Sequence, residues 1–171
     1  FVVVMLWLLT QAEKEMRSLC TTLLGLIDEH LLAADKMPLG RVFYLKLAGD
    51  FSRYLCEISR GDARNEHAME AERFYALALE AACNNKIRVT NVVRLGLALN
   101  TALFCDEILH QPEKALKIAQ EAFSLAMAEV TTLQNPEFSD ATRLMALLDD
   151  NITMWSSNNA SAPGADVASG K

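Results

Sequence analysis

The stretch EMRSLCTTLLGLIDEHL, Glu15–Leu31, carries apolar side chains at Met16, Leu19, Leu23, Leu26, Ile27 and Leu31. Steps of three and four describe one face of an α-helix. The helix reads from about Gln11 to Leu32, with a backward extension through an apolar start. Residues 33–39, which include Pro38, break the pattern. Outward from this stretch the same period returns. A second helix reads from about Gly40 to Ser59 and stops at Arg60-Gly61-Asp62. A third runs from about Ala63 to Ala82 and stops at Asn84-Asn85. The fourth covers about Val89–Leu109. After the short link His110-Gln111, the fifth starts at Pro112, where a missing N–H costs nothing, and runs to about Thr131. The sixth spans Pro136 or Glu137 to Trp155. No β-type alternation interrupts the series, and connections this short force antiparallel neighbours. The expected fold is all-α, an antiparallel bundle or array of about six helices.

Charge and composition narrow the partners. Among 171 residues, 16 Lys+Arg face 22 Asp+Glu, a net charge of −6. That balance disfavours nucleic acid and anionic membrane, which both need a basic face, though it leaves room for a local basic pocket. A 51% hydrophobic content supports a single domain with a real core. Cys20, Cys56, Cys83 and Cys105 form no C-x-x-C pair, and His30, His67 and His110 are scattered, so neither a disulfide framework nor a metal site is expected. No cofactor is implied.

The two ends depart from the helical pattern. Phe1–Leu9, FVVVMLWLL, is continuously apolar and opens without an initiator Met, as a fragment would. Nine residues fall short of the roughly 20 needed to span a bilayer. Neither a basic n-region nor a cleavage site marks a secretory signal. The run is expected as the first turns of a core helix, within a segment 1–12 set apart from a helical domain 13–156. Residues 157–171 are small and polar and are expected to be a disordered tail.

Three polar-bearing stripes carry the candidate chemistry. Lys46, Asp50, Arg53, Tyr54 and Glu57 share one side of the second helix. Such a stripe is commonly a solvated face. Arg53 beside Tyr54 also offers what a phosphate needs, a planar fork of donors and a phenol. On the fourth helix Leu99, Asn100, Leu103 and Glu107 line one side, and on the sixth Leu144, Leu147, Asn151 and Trp155 do so. Leucines and a tryptophan at that spacing are ordinarily core. An amide on an apolar stripe must find partners, however, and two amides can grip a peptide backbone.

Three segments together, VFYLKLAGDFSRYLCEI at Val42–Ile58, RLGLALN followed by E-I-L within Arg94–Leu109, and LLDDNITMW at Leu147–Trp155, resemble the signature stretches of the 14-3-3 family. The resemblance covers about Glu13–Ser156 and corresponds to the last six of that family's nine helices. It implies a non-enzymatic, cytoplasmic adaptor that binds phosphoserine or phosphothreonine peptides on client proteins. At matching positions it makes Arg53 and Tyr54 phosphate contacts and Lys46 a groove lysine. Asn100 and Asn151 become peptide-backbone amides. Leu99, Leu103, Leu144 and Leu147 become the apolar wall, Glu107 a groove acid, and Trp155 a residue near the groove's end. The family's third helix supplies a further Lys and Arg, and its first helix supplies most of the dimer contact; neither helix lies in the matching region. A truncated form with weakened phosphate binding and impaired homo- or heterodimerisation is therefore the expectation. Lys86–Val93 lacks the proline usual in the family, and Cys105-Asp106 replaces aromatics.

Other readings have less behind them. Pro112–Phe123 resembles one helix of a tetratricopeptide repeat, the alternative being an interaction scaffold of that type, but no second copy follows at about 34 residues. Cys105 beside Asp106 and Glu107 would suit an enzyme, yet nothing pairs the thiol with a base. The sequons at Asn151 and Asn159 would suit a secreted glycoprotein, but the first falls in the groove that the resemblance implies and the second in the expected tail.

Overall fold

The computed structural model describes residues 2–160, with the side chains of 159 and 160 outside that description. Among the described residues there is no strand. The helices are α1 (Val2–Leu26), α2 (Pro38–Glu57), α3 (Gly61–Asn84), α4 (Val92–Glu107), α5 (Pro112–Glu129) and α6 (Glu137–Ala160). The all-α expectation holds. A π-helical turn, Ile27–Leu31, and a short turn, Leu32–Ala34, close α1, and a 3-10 turn, Val130–Thr132, closes α5.

Helix ends differ from the periodicity in physically readable ways. Pro38 does not break a helix; it begins α2 at a first-turn position, where proline's fixed φ fits. α3 runs two residues past Ala82, and Lys86 then takes φ 52. Its N–H reaches Cys83 O at 3.0 Å while Ile87 N–H reaches Ala82 O at 3.0 Å, the paired bonds of a Schellman stop. Asn84-Asn85 mark the turn, but a lysine occupies its left-handed position. α4 starts at Val92, later than Val89, because Asn91 caps it by accepting from Val93 N–H at 2.9 Å. α6 continues to Ala160, four residues into the stretch read as tail, with Ser157 Oγ donating to Thr153 O at 2.8 Å. Residues 161–171 of that tail lie outside the described residues.

Small residues set the packing distances. α2 buries Ala48 and Gly49, α3 buries Ala71, Ala78 and Ala82, and the two helices pack together with Gly49 directly against the Tyr75 ring. Backbones can approach closely only where side chains are this short. α4 is the central helix, touching α2, α3, α5 and α6, and it buries Leu95, Leu97, Ala102 and Phe104. α5 packs on α4 and α6 and buries Ala115, Ala119 and Ala126.

The apolar start is not core. Val2–Leu9 is helical, yet each of these residues is 50–78% exposed. Arg17 explains why. Its guanidinium donates to Ser59 Oγ at 3.0 Å and Ile58 O at 3.1 Å, at the far end of α2. The helix on which α1 packs ends there, so the preceding turns project beyond it. No helix among the described residues is long and apolar enough to cross a membrane.

Candidate functional site

The site is built on α2, whose face carries Lys46, Asp50, Arg53 and Glu57 at successive turns. The stripe is not simply solvated. Asp50 is 4% exposed and accepts three hydrogen bonds: Lys46 Nζ at 2.7 Å on Oδ2, and Tyr75 OH at 2.7 Å and Asn100 Nδ2 at 2.8 Å on Oδ1. Those donors come from α2, α3 and α4. A buried carboxylate needs this many donors, because losing water uncompensated is expensive. Burial first, then the charge of Asp50 and the bond to it, push the Tyr75 phenol well above its usual range, so Tyr75 remains a donor.

One turn on, Arg53 Nη1 donates to Glu57 Oε1 at 2.6 Å and lies 3.9 Å from Glu107 Oε2 of α4. Its guanidinium carbon sits 4.7 Å from the centre of the Tyr54 ring. Arg53 Nε is buried without a partner. Burial alone would lower the pKa of this guanidinium, but the Tyr75 hydroxyl, then Glu57 and Tyr54, outweigh it and the net shift is upward. Arg53 stays cationic.

Lys46, Leu99, Asn100 and Leu144 meet on one cleft of about 300 Å³, completed by Phe43, Val92, Val93 and Gly96. The three sequence stripes therefore converge there in part. Arg53, Tyr54 and Glu107 continue the same α2–α4 face as an ion-pair cluster. Leu103 is half-buried and packs on the core, while Leu147 is 48% exposed and lies outside that cleft. Asn151 donates to Leu147 O of its own helix at 2.7 Å. Trp155 is 1% exposed, a core residue whose Nε1 donates to Asp106 Oδ2 at 2.8 Å. Tyr75 and Asp106 were not legible as site-linked residues. Tyr75 lies far from the stripes in sequence, and Asp106 had only its proximity to Glu107 as a signal.

A model of the family described as 14-3-3 protein matches residues 6–156. The chain belongs to the 14-3-3 family. It is 42% identical to 14-3-3 protein zeta of Bombyx mori over 148 residues, 86% of this chain and 60% of that protein. It is 42% identical to 14-3-3 protein theta of Mus musculus over 150 residues, 88% of this chain and 61% of the relative. Against 14-3-3 protein beta/alpha of Xenopus tropicalis the identity is 41% over 149 residues, 87% and 61% of the two chains. The chain thus spans about three fifths of the length of these relatives. The match begins at residue 6, inside the segment 1–12, which the resemblance over about Glu13–Ser156 had left outside the family-like region. The tetratricopeptide-like stretch Pro112–Phe123 is the first part of α5 in this 14-3-3 array.

Among the described residues, no group of three or more His, Cys, Asp or Glu is placed to hold a metal. Burial raises the thiol pKa values of Cys20, Cys56 and Cys105, which makes each a weaker nucleophile.

Proposed function

We propose that the chain is a phosphoserine- or phosphothreonine-peptide-binding adaptor of the 14-3-3 type, acting on cytoplasmic client proteins and catalysing no reaction. The reading is carried by the convergence of Lys46, Leu99, Asn100 and Leu144 on one cleft, with the Arg53–Tyr54 pair farther along the same helix face. Arg53 and Tyr54 take the phosphate. Lys46 and Asn100 hold the peptide main chain, and Leu99 and Leu144 shield it. Leu103, Leu147 and Asn151 extend the groove, and Trp155 supports it from the core. Glu107 limits where a second negative charge is tolerated.

Arg53 is not idle before a ligand arrives. A phosphate must displace Glu57 from Nη1, and a dianion on a planar guanidinium fork is the anion suited to do so. Binding is accordingly phosphate-dependent. Titrating matched phosphorylated and unphosphorylated peptides tests it, and equal affinity for the two overturns it. Arg53→Ala removes most of the discrimination, since a bond to a charged donor contributes roughly 1.5–3 kcal/mol.

These 171 residues offer one guanidinium where the family resemblance implies three cations. Two fewer charge-assisted contacts weaken binding by about two to four orders of magnitude relative to a full-length relative. Submicromolar binding by the 171-residue chain contradicts that part of the proposal.

A further inference from the structure

We propose that Asp50 is the positioning residue of the cleft, fixing which polar edge Asn100 and Lys46 turn toward a ligand. This rests on the peptide-binding reading above and deepens it. Both oxygens of the Asp50 carboxylate act as hydrogen-bond acceptors, Oδ2 toward Lys46 and Oδ1 toward Tyr75 and Asn100. Asp50 is 4% exposed and already engages Tyr75 OH, Asn100 Nδ2 and Lys46 Nζ at 2.7–2.8 Å. Asn100 must therefore point its NH₂ inward at Asp50. Its Oδ1, on the other arm of the planar carboxamide, is left for the cleft that Asn100 lines. Lys46 spends one of three N–H donors on Asp50 and keeps two.

The cleft consequently has a fixed polarity, an acceptor at Asn100 and donors at Lys46. Its ligand class follows. An extended peptide fits when it presents a backbone N–H to Asn100 and an oxygen to Lys46. Tyr75 anchors the arrangement from behind. Its ring presses on Gly49, where an added Cβ would stand 2.7 Å from the ring carbons, and its hydroxyl holds Oδ1 of Asp50. The carboxylate cannot swing toward the cleft without breaking that bond. Replacing Asp50 by Asn offers Asn100 both a donor and an acceptor, so the amide of Asn100 is no longer held in one orientation.

The test uses phosphoserine peptides in which single backbone N–H groups near the phosphate are replaced by ester oxygen. In the wild-type chain one such ester weakens binding by about 5- to 10-fold, the worth of one hydrogen bond. In Asp50→Asn the same ester costs under about 2-fold, because the acceptor is no longer held in place. An undiminished ester penalty in Asp50→Asn, or no penalty at any ester in the wild type, overturns the proposal. A purely structural Asp50 would weaken amide and ester peptides alike. Side-chain amide hydrogen exchange in the ligand-free wild type, read by NMR, gives a second measurement that needs neither a variant nor a peptide. Protection of one Asn100 carboxamide hydrogen supports the proposal, and free exchange of both overturns it. Failure of every phosphopeptide to bind would sink the adaptor reading and leave the exchange result to decide the role of Asp50.

Discussion

The indole nitrogen of Trp155 donates to the carboxylate of Asp106 at 2.8 Å, joining the last helix to the central one. The bond lets a buried indole keep its only polar atom satisfied. Asp106→Ala strands that N–H and should lower stability by about 1–2 kcal/mol, read by urea denaturation. Asp106→Asn retains an oxygen acceptor and should cost less than half as much. An Asp106→Ala chain as stable as wild type would show that water replaces the carboxylate.

A second prediction concerns the contact of Gly49 of α2 with Tyr75 of α3. A methyl group at residue 49 would lie 2.7 Å from two carbons of the Tyr75 ring, and the ring is pinned at its hydroxyl by Asp50. Gly49→Ala would gain about 1 kcal/mol of helix propensity in an open helix, but here overpacking costs roughly 1–3 kcal/mol and should win. The midpoint of thermal unfolding should fall. A rise would mean that α3 can back away without cost.

How much of this was legible beforehand divides by the range of the interaction. Helix number and order follow from three-and-four spacing, a local property, and all six helices appear. Their ends shifted wherever a single side chain decides the stop, as with Asn91 capping α4 and Lys86 in the left-handed position after α3. The polar stripe Lys46, Asp50, Arg53, Glu57 was visible as a periodicity. Its burial was not, because the groups that surround Asp50 are Tyr75, 25 residues away, and Asn100, 50 residues away. Spacing reads Trp155 as ordinarily core, while the resemblance puts it near the end of the groove. Its 1% exposure and its bond to Asp106 of α4, 49 residues away, are long-range facts that settle it as core.

Alkaline pH gives a third prediction. Burial raises the pKa of Cys20, Cys56 and Cys105 from an ordinary 9.0, and burial with the adjacent Asp50 raises Tyr75 from 10.0. A group that holds its proton more tightly when folded contributes stability fully below its unfolded pKa and loses it as pH rises toward the folded value. Stability should thus begin to fall near pH 9 and fall more steeply above 10, where Tyr75 alone contributes up to about 1.4 kcal/mol per pH unit. Tyr75→Phe should be less stable at pH 8 yet show a shallower decline above 10. Parallel unfolding curves against pH for the two chains would remove Tyr75 from the account.

The last prediction concerns association. Val2–Leu9 presents eight consecutive apolar side chains, each at least half exposed, and Leu19 at 63% and Leu23 at 37% continue the exposure along α1. Leu45 of α2, by contrast, is 3% exposed inside the bundle. The uncovered surface therefore belongs to α1, and it lies on every side of the helix before Arg17. Apolar patches beyond a few hundred Å² drive association. A surface that surrounds a helix has no single complementary face, and closed two-fold pairing requires one self-complementary patch. The 171-residue chain should therefore associate progressively, its weight-average mass in sedimentation equilibrium climbing with concentration. Val3→Lys with Leu6→Lys places charge on the projecting turns, far from the core, and should lower that climb without moving the unfolding midpoint by more than about 0.5 kcal/mol equivalent. A sharp dimer mass, unchanged over a hundredfold range of concentration and unaffected by the two lysines, would mean that α1 pairs through the Leu19–Leu23 side and that the projecting turns contribute nothing.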